Sequence, residues 1–177
     1  MASEGVKIKY LDASALVKLY INEKGSQNLR EFYYSNTNFR TTWLCLAEAL
    51  FVLKSKWTGP QSKQFGNKID TEDYLKAVSS LIIDWRDRIE TDDIKSVDPT
   101  VPLKVKEISQ KYKLDYSDAL QLWSLKYGRW SPFVFFSENN VNGSALVFIT
   151  ADEDLATAAE SEGIKVWNCE HEPTPLT

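Results

Sequence analysis

The chain has 177 residues, of which 43% are apolar and 26% charged, with a formal net charge of −4. That balance suits one domain with its own hydrophobic core and excludes a chain that is basic throughout, though not a local basic patch. Two cysteines without a CxxC spacing, a single histidine and the lack of any apolar run near ~18 residues argue against a disulfide framework, a zinc site, a Ser-His-Asp arrangement and a membrane span.

The N-terminal MASEGVKIKYLD has no apolar core of a signal peptide, so cytoplasm is the default expectation. Val6 to Leu11 alternates as a short strand, and DASALVKLY reads as a helix capped by Asp12 or Ser14. A second helix is predicted over Ser26 to Tyr34, and a β-branched, aromatic strand over Phe39 to Trp43. In LCLAEALFVLKSKW, Leu46, Leu50 and Leu53 share one helical face. Thr58 to Asn67 is rich in turn residues. Asp70 to Ile89 reads as one long amphipathic helix, followed by a strand at Ile94 to Val97. Pro102 starts a helix over Val101 to Tyr112, and Gly128 ends the helix opened by LDYSDAL. Asn139 to Ser144 is a loop. Leu146 to Ile149, the stretch after Asp152, and Ile164 to Trp167 then read as strand, helix, strand. Strands alternating with helices predict an α/β fold with a central parallel sheet and helices on both faces, a three-layer α/β/α arrangement.

Acids stand where the strands stop. Asp12 follows the first strand, Asp152 follows the strand over 146–149, and Asp118 opens a helix. In open parallel sheets, ligands bind beyond the carboxyl ends of the strands, where the strand order reverses. Glu48 is a fourth candidate, on the helix after the second strand. Two carboxylates ~4 Å apart repel by roughly 4 kcal/mol at an effective dielectric of about 20. A hard divalent cation with oxygen ligands removes that cost, which favours magnesium over zinc at such a site. Each aspartate also reads as a helix N-cap, and Glu48 as a solvent-facing helical acid. Glu153 and Asp154 suit the first turn of a helix.

Four stretches together resemble the PIN-domain family, in particular its VapC-type toxin branch. YLDASALVKLY resembles the family's strand, D-x-S/T and helix. TTWLCLAEAL resembles its second motif, an acid on the helix after strand two. LDYSDALQLWSL resembles the third, a helix opening on Asp-Ala. VFITADEDLATAAESEGIKVW resembles the fourth, T-x-D-x-x-L with a final strand. The motifs follow the family's order along nearly the whole chain. The resemblance implies a ribonuclease dependent on Mg²⁺ or Mn²⁺, in which a metal-bound water attacks an RNA phosphodiester. By motif, the acids that hold the metal are Asp12, Glu48, Asp118 and Asp152. Ser14 is implied as a supporting polar group, with Asp115 and Asp154 as further ligands or supports. For the toxin branch it also implies a small antitoxin protein that blocks the site.

On this reading residues 1–170 form a single PIN-like domain, and 171–177 a disordered tail. The chain departs from a compact family member by an excess from about Trp57 to Glu90. That excess is a candidate clip over the site, homodimer surface or partner-binding arm. Trp123 replaces a small residue after the third motif's helix start. Lys54, Lys56, Lys63 and Lys68 are candidates for a local RNA-facing patch. Two alternatives stay open: an Mg²⁺-dependent phosphatase-like hydrolase, weakened by Ser14 where an Asp-x-Asp would be needed, and a PIN-like binding module without catalysis.

Overall fold

The computed structural model describes residues 7–59, 67–92, 99–135 and 145–175. Five parallel strands form one sheet, β1 (Lys7–Leu11), β2 (Phe39–Thr42), β3 (Ile89–Asp92), β4 (Ala145–Thr150) and β5 (Val166–Asn168). Their order across the sheet is β3-β2-β1-β4-β5. The chain therefore builds outward from β1 in one direction, then returns to its other side with β4. The reversal falls between β1 and β4, which pair from Lys7↔Ala145 to Leu11↔Ile149.

Alternating residues of these strands feed two cores. Leu11, Phe39, Ile149 and Trp167 pack with α1 (Ala13–Tyr20), α2 (Ser26–Ser35), α3 (Trp43–Thr58) and α4 (Thr71–Asp87). Ile8, Tyr10, Leu146 and Phe148 pack with α5 (Val101–Tyr112), α6 (Tyr116–Tyr127), α7 (Ser131–Phe135) and α8 (Glu153–Ser161). The expected three-layer α/β/α architecture is the one observed. Both faces of β1 are covered, so its last four residues are all buried, as a central parallel strand requires. Among the described residues, no helix is long and apolar enough to cross a membrane.

Two predicted boundaries move. The strand predicted to reach Trp43 ends at Thr42, because the Thr42 hydroxyl turns to accept the Cys45 amide at 3.1 Å and starts α3. The long helix predicted to reach Ile89 stops at Asp87. Arg88 leaves the helical region, donates to the Tyr33 carbonyl at 3.0 Å, and delivers Ile89 to pair with Phe39 as the start of β3. The strand predicted at Ile94 to Val97 and the loop predicted at Asn139 to Ser144 lie outside the described residues, except for the edges of the neighbouring elements. In the tail, the Glu172 carboxylate accepts the Asn168 amide at 3.1 Å.

Candidate active site

Asp12 is the first residue beyond β1, and its backbone N–H still donates to Ile149 of β4 at 3.0 Å. That bond fixes the aspartate at the point where the strand order reverses. Its carboxylate is buried, 4% exposed, and one oxygen takes three donors. Asp12 Oδ2 accepts from the Ser14 hydroxyl at 2.5 Å, the Ser14 amide at 3.1 Å and the Thr150 hydroxyl at 3.0 Å. Burial pushes the Asp12 pKa up, and these donors oppose the shift. The two hydroxyls also bind the start of the segment after β4. Ser14 Oγ accepts the Ala151 amide at 2.8 Å, and Thr150 Oγ1 accepts the Asp152 amide at 3.0 Å.

Asp152 caps α8 through one oxygen, Oδ1, which accepts the Leu155 amide at 2.8 Å. Capping and a place in the cleft are thus compatible for both Asp12 and Asp152. Asp118 is not a cap. The helix starts one turn earlier, with Asp115 at the N-cap position, and Asp118 is in its first turn. Burial first, then the charges of Asp12, Asp152, Glu48 and Asp115, push its pKa up to about 7. Glu48 comes from mid-α3 and is half-buried. Its Oε1 accepts from the Ser117 hydroxyl at 3.1 Å, while burial and then the Asp12 and Asp115 charges hold its pKa above the usual range.

Asp12, Ser14, Glu48, Asp118 and Asp152 line one open cleft of about 1030 Å³. Asp115 and Asp154 are exposed and do not line it, although Asp115 is near enough to act on both Asp118 and Glu48. All the acidic donors are carboxylate oxygens, the ligand type a hard divalent cation takes. Among the described residues, no group of three or more His, Cys, Asp or Glu side chains is gathered tightly enough to enclose a metal ion. The donor set therefore fits a hydrated cation held by one or two carboxylates, the usual habit of Mg²⁺, rather than an all-protein cage.

The cleft continues from the acids into a second, basic stretch that the sequence reading mostly missed. Lys18 and Lys56 line it and are 6% and 5% exposed. Glu23 bridges them, at 3.5 Å to Lys18 and 2.6 Å to Lys56, and Glu170 pairs with Lys18 at 2.8 Å. Arg30 is held there by the Leu19 and Ile21 carbonyls at 2.9 and 2.7 Å and by Asn22 Oδ1 at 2.8 Å. Of the lysines expected to face RNA, Lys56 and Lys68 line the cleft and Lys54 does not. Lys63 lies outside the described residues. A usable signal for Lys18 was present: a lysine inside the apolar run ALVKLY must find a partner or leave the core.

No family model and no curated protein matches this chain. Among solved structures it is similar to the crystal structure of PAE2754 from Pyrobaculum aerophilum. The two share 17% identity over 94% of this chain and 85% of that one, with a TM-score of 0.48. The functional reading stands on the chemistry of the cleft.

Proposed function

We propose that this chain is a metal-dependent ribonuclease of the PIN-like, VapC-type kind, using Mg²⁺ or Mn²⁺ to hydrolyse RNA phosphodiester bonds. The observation that carries this reading is the meeting of four carboxylates in one cleft, beyond the carboxyl ends of β1 and β4 where the strand order reverses. The four motifs that resemble the PIN-domain family supply these same acids, in order, which supports the assignment. Asp12, Glu48, Asp118 and Asp152 would hold the cation. A divalent ion so held makes water a stronger nucleophile near neutral pH and offsets charge building on a phosphodiester.

The chain's own residues have separable tasks. Ser14 and Thr150 orient Asp12 by donating to Oδ2, which aims its other oxygen independently of them. Ser117 orients Glu48 from the neighbouring helix. Asp118 carries no such donor among the printed bonds of its neighbours in the cleft, and its charge responds most strongly to the other acids. Lys68 and Arg30 line the same cleft and suit the phosphates of a strand that runs past the acids. A small antitoxin protein covering the cleft belongs to the same reading.

A second reading is a PIN-like module that binds RNA or protein without cutting. The spread of the carboxylates, with no tight group of three among the described residues, favours it.

One experiment separates the two. A mixed RNA pool is incubated with wild type, Asp12→Asn and Asp118→Asn in Mg²⁺ or Mn²⁺. The nuclease reading expects cleavage that EDTA abolishes and that each variant loses by about 100-fold or more, or ~2.7 kcal/mol of barrier. Folded wild type that cuts nothing and shows no metal-dependent thermal shift sinks it in favour of the binding module.

A further inference from the structure

α4 buries one face and exposes an apolar stripe on the other. Ala77 and Leu81 are buried, with Tyr74, Val78 and Trp85 packed on the same core. On the opposite side Leu75 is 58% exposed, Ile82 48% and Ile83 50%. A surface helix normally carries polar residues there. None of these three lines the cleft, so the stripe is separate from the acids and their chemistry.

The stripe reads alike in both directions from Ser79. Leu75 lies four residues before it and Ile83 four after, about 6 Å to either side along the axis. Glu72 lies seven before and Arg86 seven after, about 10 Å to either side. All five positions are exposed. A two-fold axis through Ser79 lays a second α4 antiparallel on the first. Leu75 then meets Ile82 and Ile83 of the second copy, and Glu72 meets Arg86 of the second copy, at both ends at once. Ser79 and Ser80 at the crossing are small enough for a close approach. Within one chain Glu72 pairs with Lys76 at 2.5 Å and Arg86 with Asp87 at 2.6 Å. Both are exposed pairs of the kind that exchange partners at little cost.

We propose that this face of α4 is the contact between two copies of the chain. The charge order is what selects a second copy over an unrelated partner. A helix that is acidic at one end of its apolar stripe and basic at the other complements itself when antiparallel. One pair of helices covers less than the ~1,200–2,000 Å² of a standard stable interface, so association is expected in the micromolar range. The proposal is independent of the nuclease reading, since it uses no residue of the cleft.

The test is sedimentation velocity of the full chain from about 1 to 200 µM, a range that brackets such an affinity. Wild type is expected to pass from monomer to dimer. Ile82→Glu, checked for fold by circular dichroism, is expected to stay monomeric throughout. Glu72→Arg alone sets like charges together at both ends, and so does Arg86→Glu alone; each is expected to weaken the dimer about tenfold. The two changes combined restore opposite charges and are expected to recover wild-type association to within about threefold. A wild type that is monomeric at the highest concentration overturns the proposal and leaves the stripe to a different protein. A dimer indifferent to Ile82→Glu, or charge changes that fail to rescue each other, overturns it as well. RNA cleavage is read separately in the same samples, so loss of one result leaves the other interpretable.

Discussion

The two ends of the cleft handle charge in opposite ways. At the basic end, Lys18 and Lys56 are buried, and Glu23 and Glu170 reach them. Lys18 in turn holds Glu170 below the usual carboxylate range. At the acidic end, Asp12, Glu48 and Asp118 all have raised pKa values, and burial is the largest cause for each. Charges that compensate one another tie α1, α3 and the C-terminal segment together. Charges of one sign, set side by side, store repulsion that a cation could relieve. The first end reads as scaffold and the second as a place prepared for a ligand.

The contrast breaks most visibly at Glu23. Glu23→Gln leaves Lys56 without that bridge, while Lys18 keeps Glu170. A cost of about 2 kcal/mol is expected in urea unfolding, below the ~3–5 of a wholly buried pair because Glu23 is 28% exposed. Loss under ~0.5 kcal/mol would mean that the bridge is no more than a surface pair.

Asp118→Asn is expected to act in the opposite sense. In the metal-free protein the folded chain keeps a proton on Asp118 up to about pH 7, whereas the unfolded chain releases it near about pH 4. Wild-type stability therefore falls as pH rises between those values. The asparagine variant escapes that loss. At pH ~8 it is expected to be more stable by about 1 kcal/mol after solvent screening, and at pH ~4 to match wild type. Thermal melts in EDTA at the two pH values check this. Equal melts at both would remove the idea of mutual repulsion among the acids.

Thr150→Val makes the finest cut. It removes one donor to Asp12 and the acceptor of the Asp152 amide, while Ser14 keeps both its bonds to Asp12. About 1 kcal/mol of stability is expected to go. Cleavage, if the nuclease reading holds, should fall by about tenfold, far less than for Asp12→Asn. An activity loss equal to that of Asp12→Asn would make the hydroxyl a direct participant.

Much of this was legible in the chain itself. An apolar strand that stops at Asp12 and turns into ASALVKLY announces both its end and its helix. The same holds for Ile149-Thr150 and the acids that follow. Strand β3 was not legible. Ile89-Glu90-Thr91-Asp92 continues the amphipathic rhythm of α4, and only pairing with β2 decides that it is extended. The place of Glu48 was hidden for a related reason. Its helix position says nothing of the Ser117 hydroxyl, which arrives from α6. Pairing of Glu23 with two lysines was hidden likewise, because it depends on how α1 and α3 pack.

The Asp12 and Thr150 side chains that bond to each other are 138 residues apart in the chain. Closing so long a loop is slow and must wait for β4 to exist. As the chain leaves the ribosome, β1, α1 and α3 can gather early, but the ring of carboxylates cannot close until the last third has been made. Whatever this cleft does, a half-made chain cannot do it, and a truncation before β4 should abolish the site while leaving most of its acids in place.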